Sequence, residues 1–448
     1  MTPTVDVVKW INQQKISRLQ IWVMVVSGAC TMLEGFDGLN IGFVAPAVVK
    51  EWHVTPQSFT PVFMAGLVGL LLGCLVIAPL ADKIGRRTVM LGSVACFGLF
   101  SLLSASAGSL SMLALLRFLT GLGVGGGMAN AIALTSEYFP ERSRAGMTAL
   151  MFAGFPFGSA LGGYLSGWLI PNFGWQSVFI AGGVLPLLMA PALVFILPES
   201  IRHLVIGGAA PARIASVLAR INPKAHFAAG TNFVIAEERK AGLTVGHLFR
   251  EGRALGTALI WVVFFMSLLD IFLVSSWLPI VLHDSGLALS TAVDVSATMA
   301  FAGVIACVVT APVLNRQGCF AILMPAYCLA ACGMLAFATV SMDLGLILLS
   351  AAAVGAGNIA GQNTANALAA AYYPTYIRAT GVGWALGIGR VGAIVGPAIG
   401  GTILALHLGR EALFMVAAVP PVIAVFAILA LMRLAPARAA ARRAVLPA

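Results

Sequence analysis

Twelve apolar windows of eighteen or more residues recur along the chain, at about 21–47, 58–80, 88–108, 111–135, 146–169, 175–197, 255–282, 291–314, 319–340, 344–372, 379–404 and 411–432. At ~1.5 Å per residue each is long enough to cross a ~30 Å hydrocarbon core as a helix, and far longer than a membrane-crossing strand needs. Backbone amides in lipid have no water to bond, so such windows must satisfy their amides internally, as helices. A chain that is 60% hydrophobic and 9% charged also lies outside the range of soluble domains. The expected fold class is an all-α membrane protein with twelve transmembrane helices.

The net charge of +10 would suit a nucleic-acid partner, but its distribution argues for a bilayer instead. With both termini in the cytoplasm, 22 of the 26 Lys and Arg fall in cytoplasmic segments and two, Lys50 and Arg410, on the other side. That asymmetry is the positive-inside pattern. The polar leader carries Asp6, Lys9, Lys15 and Arg18, and the span after it is too long, and lacks the small-residue cleavage site, for a removable signal peptide. No pair of the seven cysteines has metal-ligand spacing in a loop, so free thiols and no metal site are expected.

The long polar stretch divides the spans six and six, giving three regions: 1–197, a cytoplasmic linker at 198–254, and 255–448. The halves repeat each other. Ala78-Pro79-Leu80-Ala81-Asp82-Lys83-Ile84-Gly85 aligns 233 residues later with Ala311-Pro312-Val313-Leu314-Asn315-Arg316-Gln317-Gly318. At an offset of 234, Gly121-Leu122-Gly123 recurs as Gly355-Ala356-Gly357 and Tyr138-Phe139-Pro140 as Tyr372-Tyr373-Pro374. The offset of 233 carries Asp37 and Pro46 onto Asp270 and Pro279. An even number of spans per half keeps the two six-helix pseudo-repeats parallel.

Within the first span lies Leu33-Glu34-Gly35-Phe36-Asp37-Gly38. A carboxylate at bilayer depth costs several kcal/mol unless it is paired, wetted or neutralised, which makes it a functional candidate by default. Glu34 and Asp37 are three apart and share a helix face, while Gly35 and Gly38 allow another backbone or a ligand to come close. Burial and a nearby cation act in opposite senses on a carboxyl group's hold on its proton. Glu34, Asp37 and the repeat-related Asp270 are therefore the proton-coupling candidates.

Two arginines lie inside spans. Arg390 offers a planar, permanently charged fork that can hold a carboxylate; its alternative role is a permanent ion pair with Asp37, Glu34 or Asp270. Arg117, near the outer end of the fourth span, is a second candidate that can instead snorkel to the interface. Asn358 and Gln362 belong to a polar stripe with Asn366 on the tenth span, suited either to a substrate hydroxyl or to neighbouring helices. Asn130, Phe155 and Trp384 are candidates for a cavity wall. Glycines four apart, at 123 and 127, at 154, 158 and 162, and at 392, 396 and 400, make smooth faces for close helix contact and sliding. Between spans two and three, Gly85 suits a tight turn and Asp82 a helix cap. Arg86 and Arg87 would then reach Glu137 and Glu141 as a state-dependent latch, or serve only as topogenic charge.

The run Asp82-Lys83-Ile84-Gly85-Arg86-Arg87, with Arg117-Phe118 and Pro140-Glu141-Arg142, resembles the major facilitator superfamily. Glu34-Gly35-Phe36-Asp37 followed by Ile41-Gly42-Phe43-Val44-Ala45-Pro46, together with Gly383-Trp384-Ala385-Leu386-Gly387-Ile388-Gly389-Arg390 and Gly396-Pro397, resembles the aromatic acid:proton symporters. Glu34 stands where that family more often has aspartate. The resemblance implies a bacterial inner-membrane carrier, alternating between outward and inward access, that imports a small aromatic carboxylate with protons. A monomer in the lipid bilayer is expected, with no cofactor beyond the proton gradient. No catalytic motif or nucleotide-binding loop appears, so the chain is not expected to be an enzyme or to bind nucleic acid. Proton-coupled drug efflux, or uptake of a sugar or an aliphatic acid, would keep the same fold, and a membrane receptor or enzyme is the alternative of another class.

Overall fold

The computed structural model describes residues 4–225, 227–228, 230–235, 245–250, 252–339, 343–373 and 377–445; Pro374 of the repeat and much of the later linker lie outside them. Among the described residues, twelve helices are long and apolar enough to cross a membrane, which makes this a multi-pass membrane protein. In order they are Arg18–Trp52, Pro56–Ile84, Arg86–Ser104, Leu110–Tyr138, Glu141–Phe173, Gln176–Ile196, Ala254–Asp284, Leu289–Leu314, Phe320–Thr339, Leu344–Tyr372, Thr380–Ala405 and Gly409–Leu434. They are called spans one to twelve below.

Span one runs unbroken through Gly35 and Gly38, so those glycines do not interrupt it. Span two widens into a π-helical turn over Gly73–Ile77, where Cys74 Sγ donates to the Gly125 carbonyl at 3.2 Å. Span five breaks at Ala153 into Glu141–Phe152 and Gly154–Phe173.

By internal packing the chain forms two compact units. The first holds residues 1–40, 65–162 and 173–239; the second holds 41–64, 163–172 and 240–448. This division follows contacts, whereas the six-plus-six division follows the repeat, and it places the ends of spans one, two and five with the second unit.

In the first unit, glycines bring backbones together. A side chain at Gly158 would overlap the Met32 carbonyl, and one at Gly154 the Gly28 carbonyl, so spans one and five touch backbone to backbone. Gly66, Gly69 and Gly73 interlock with Gly121 and Gly125 between spans two and four in the same way. The core of this unit continues from Val94 and Phe97 on span three through Val124 and Leu134 on span four into the amino-terminal and linker segments. Thr4–Asp6 pairs in parallel with Asn232–Val234, Val5 opposite Phe233, and Asp6 caps helix Val7–Gln13 by accepting from the Val8 amide at 3.0 Å. Linker helix Pro211–Ile221 buries Ile214, Val217, Leu218 and Ile221, its apolar face. The linker, read as a polar stretch, therefore folds onto the bundle.

In the second unit, Gly392 and Gly396 sit against the Phe265 and Leu269 carbonyls of span seven. Trp277 Nε1 donates to the Pro397 carbonyl at 3.0 Å, and its ring meets Phe63 edge-on at 5.1 Å. A side chain at Gly42 would press on the Ser275 carbonyl, at 2.5 Å.

Candidate functional site

Because span one stays helical, Glu34 and Asp37 fall on one face, and both are fully buried. Gly35 is needed there, since any side chain would overlap the Phe155 carbonyl; Gly38 meets only the Phe155 ring, at 3.7 Å. Phe155 stacks on Phe152 across the break in span five, with ring centroids 6.1 Å apart. The Glu34 carboxylate lies against Gly127 of span four, where a side chain would come within 2.6 Å of Oε1. That glycine makes room for an acid as well as for a helix.

Asp37 is held by two other spans. Arg117 donates from Nη2 to Oδ2 at 2.7 Å, from Nη1 to Oδ1 at 3.1 Å, and from Nη2 to the Asp37 carbonyl at 3.2 Å. Ser101 Oγ donates to Oδ1 at 2.6 Å, and the guanidinium stands 5.7 Å from the centre of the Phe179 ring. Of the two roles open to Arg117, snorkelling is not the one it takes: its side chain is 5% exposed. Two lone-pair sets on Asp37 and the face of Phe179 give the guanidinium partners inside the bundle, so it does not need the interface. Asp37 pairs with Arg117. Ser101 was not singled out from the sequence, although a serine within an apolar span was visible there. Nor was Asn40, one turn beyond Asp37, whose buried amide reaches no hydrogen-bond partner among the described residues. Asn130, expected on a cavity wall, is buried and donates to the carbonyls of Gly126 at 2.9 Å and Ala78 at 3.4 Å.

The second unit has its own buried acid. Asp270 accepts from Asn358 Nδ2 at 2.7 Å through Oδ2, while Oδ1 reaches no hydrogen-bond partner among the described residues. Gln362 reaches along its own helix to Asn366 Oδ1 at 3.3 Å. The polar stripe of span ten is thus used at least partly within the protein. Arg390 is half-buried on span eleven. It shares a helix face, at positions i, i+4 and i+7, with Gly383 and Gly387, where an added Cβ would meet nothing within 4 Å. Trp384, beside them, is 43% exposed and stacks on Trp261 with ring centroids 5.9 Å apart. Span eleven thus carries a planar cation, which can hold a carboxylate, and an exposed aromatic ring, which can stack on a flat one.

At the linker end of the first unit, Arg86 Nη2 meets Glu137 Oε1 at 3.0 Å, as expected of the latch. Arg87 does not join it; its side chain donates to the Val194 carbonyl, and Glu141 is exposed. Asp82 is also exposed, and the expectation that it caps span three is corrected. Glu199 does so, accepting from the Arg87 amide at 3.1 Å and the Ser200 amide at 2.8 Å. Gly85 has φ +97°, and its missing side chain leaves the space the Glu199 carboxylate fills. Ser200 Oγ donates to Glu137 Oε2 at 2.5 Å and Tyr138 Oη to the Glu199 carbonyl at 2.7 Å. Arg86 and Glu137 border a cavity of about 300 Å³ that also meets Arg144 and Arg202. Water in that cavity would screen the pair and leave it easy to break.

The family model of the Major Facilitator Superfamily matches residues 28–385. By sequence the chain is 40% identical over 429 residues to a gallate transporter of Pseudomonas putida, with 95% of each covered. It is 40% identical over 425 residues to the 4-hydroxybenzoate transporter PcaK of the same species, with 94% of each covered. By structure it resembles the xylose transporter XylE from E. coli in a partially occluded inward-open conformation. The TM-score is 0.72 at 15% identity, over 93% of this chain and 98% of that one, a likeness that speaks for the fold.

Proposed function

The chain belongs to the major facilitator superfamily, and from that premise we propose that it is a symporter importing a small aromatic carboxylate with protons across a bacterial inner membrane, by alternating access. Relatives named for gallate and 4-hydroxybenzoate match almost the whole chain, which supports the substrate class. The observation that carries the mechanism is the buried pair of Asp37 with Arg117.

An ion pair at this depth is a switch as well as a fastening. When Asp37 takes up a proton, the charge that holds Arg117 is cancelled, and the guanidinium must find another anion or move toward water. Proton uptake thereby changes which conformation is favoured, and a ligand or proton shifts an equilibrium only through such a difference between states. Glu34, on the same face of span one, is the second proton-coupling acid. The substrate carboxylate is held by the fork of Arg390, and the Trp384 ring of the same span offers a stacking surface. The pair of Arg86 with Glu137 opens and closes with the transport cycle.

The experiment is uptake of labelled benzoate, 4-hydroxybenzoate, 3-hydroxybenzoate, gentisate, protocatechuate and gallate into vesicles with an imposed pH gradient. Wild type, Asp37→Asn and Arg390→Ala are compared. Gradient-dependent uptake of at least one acid, lost in both variants, is the expected result. Indifference of wild type to every acid, or to the gradient, would overturn the proposal.

A further inference from the structure

The two buried aspartates related by the internal repeat are solvated in different ways. Asp37 in the first half has Arg117 and Ser101. The register that carries Gly121 and Gly123 onto Gly355 and Gly357 carries Arg117 onto Ala351, and the offset of 233 carries Ser101 onto Met334. Both Ala351 and Met334 are fully buried. The second half has kept the acid and lost both the cation and the hydroxyl.

What surrounds Asp270 instead is neutral. Asn358 of span ten donates its single hydrogen bond, and Tyr327 of span nine and Ser267 of span seven bring two hydroxyls to the same neighbourhood. No cation pairs with Asp270 among the described residues. Asp270 Oδ1, Asn358 Oδ1, Ser267 Oγ and Tyr327 Oη are all buried without a well-formed hydrogen bond. A bare anion in this setting would have one amide bond, two neutral hydroxyls and no cation to offset the loss of its water. A carboxylic acid carries no charge to desolvate, and its O–H can bond to Asn358 Oδ1 or a hydroxyl while its other oxygen keeps the Asn358 amide. The tyrosine ring also packs on Gly361, which closes the neighbourhood.

We propose that Asp270 is a proton-carrying site in its own right, separate from the arginine-linked site at Asp37, and that it adds one proton to the number moved with each substrate. This rests on the symport reading above. With one proton at the first-half site and one at Asp270, uptake of a monovalent carboxylate moves net positive charge inward. When the carboxyl is wetted, neutral amide and phenol groups cannot retain the proton against hydration of the anion, so the site can unload without breaking an ion pair.

The test uses the full-length protein in proteoliposomes, with the membrane potential set by potassium and valinomycin and the pH gradient set independently. The proton-to-substrate ratio is read from the gradient at which net flux of a transported aromatic acid reverses. Wild type is expected to give a ratio of two or more and to respond to an inside-negative potential alone. Asp270→Asn, which keeps the shape and a donor, is expected to retain substrate exchange but lower the ratio by one. At zero potential, its ceiling on accumulation falls about tenfold for each pH unit imposed. An unchanged ratio in an active Asp270→Asn protein overturns the proposal, and so does loss of exchange by a folded one. Electroneutral uptake by wild type overturns it without any variant, while leaving symport intact; absence of any gradient coupling in wild type removes both readings.

Discussion

Replacing Arg117 by methionine takes away the partner of a carboxylate that has no water to turn to. Asp37 is fully buried, and Arg117 donates to both of its oxygens, at 2.7 and 3.1 Å. At about 1.5–3 kcal/mol for each charge-assisted bond, the two together put the loss at about 3–6 kcal/mol, in line with the cost of orphaning one member of a buried pair. Ser101 survives as a donor at 2.6 Å but carries no charge. Asp37→Asn alone should also destabilise, because it leaves the guanidinium buried without an anion. The double variant Asp37→Asn with Arg117→Met removes both charges, and should regain most of the loss of either single change. The assay is thermal unfolding of the four purified proteins in one detergent, arranged as a double-mutant cycle. Losses that simply add, with the double variant the least stable of the four, would refute the argument that these two charges are coupled.

Two other perturbations separate close from incidental contacts. Gly158→Ala drives a methyl group into the Met32 carbonyl and should cost about 1–3 kcal/mol, whereas Gly383→Ala, with nothing within 4 Å, should be neutral or gain about 0.5–1 kcal/mol; thermal midpoints of the two check this. Glu199→Ala removes the acceptor for the Arg87 and Ser200 amides and should cost about 0.5–2 kcal/mol, while Asp82→Ala at an exposed position should stay within about 0.5 kcal/mol. Equal effects of these two changes on the unfolding midpoint would restore Asp82 as the cap.

The features legible in the sequence are those that depend on neighbours along the chain. Apolar windows mark helices because lipid forces each segment to satisfy its own amides, and twelve were visible in that way. The three-residue spacing of Glu34 and Asp37, the glycines four apart on spans five and eleven, and the turn at Gly85 are likewise local. Even the repeat, which pairs Asp37 with Asp270, is a comparison of one stretch of sequence with another.

Which charge meets which acid is a different kind of question. Arg117 and Asp37 are 80 residues apart, and Ser101 reaches Asp37 from a third helix. Their meeting depends on the rotation and height at which spans one, three and four pack, and those follow from many small contacts, such as the interlocking of Gly121 and Gly125 with span two. Glu199 displaced Asp82 as the cap for the same reason: the end of span six comes to rest beside the start of span three only once the bundle has formed. The amino-acid sequence by itself thus determined that the chain spans a membrane twelve times, and which polar residues lie within the spans, because hydrophobicity and helical periodicity act over one or two turns. Only the tertiary structure decided that Asp37 has an arginine and Asp270 an amide, because an ion pair or hydrogen bond between helices requires atoms within about 3 Å, a distance set by packing across the bundle.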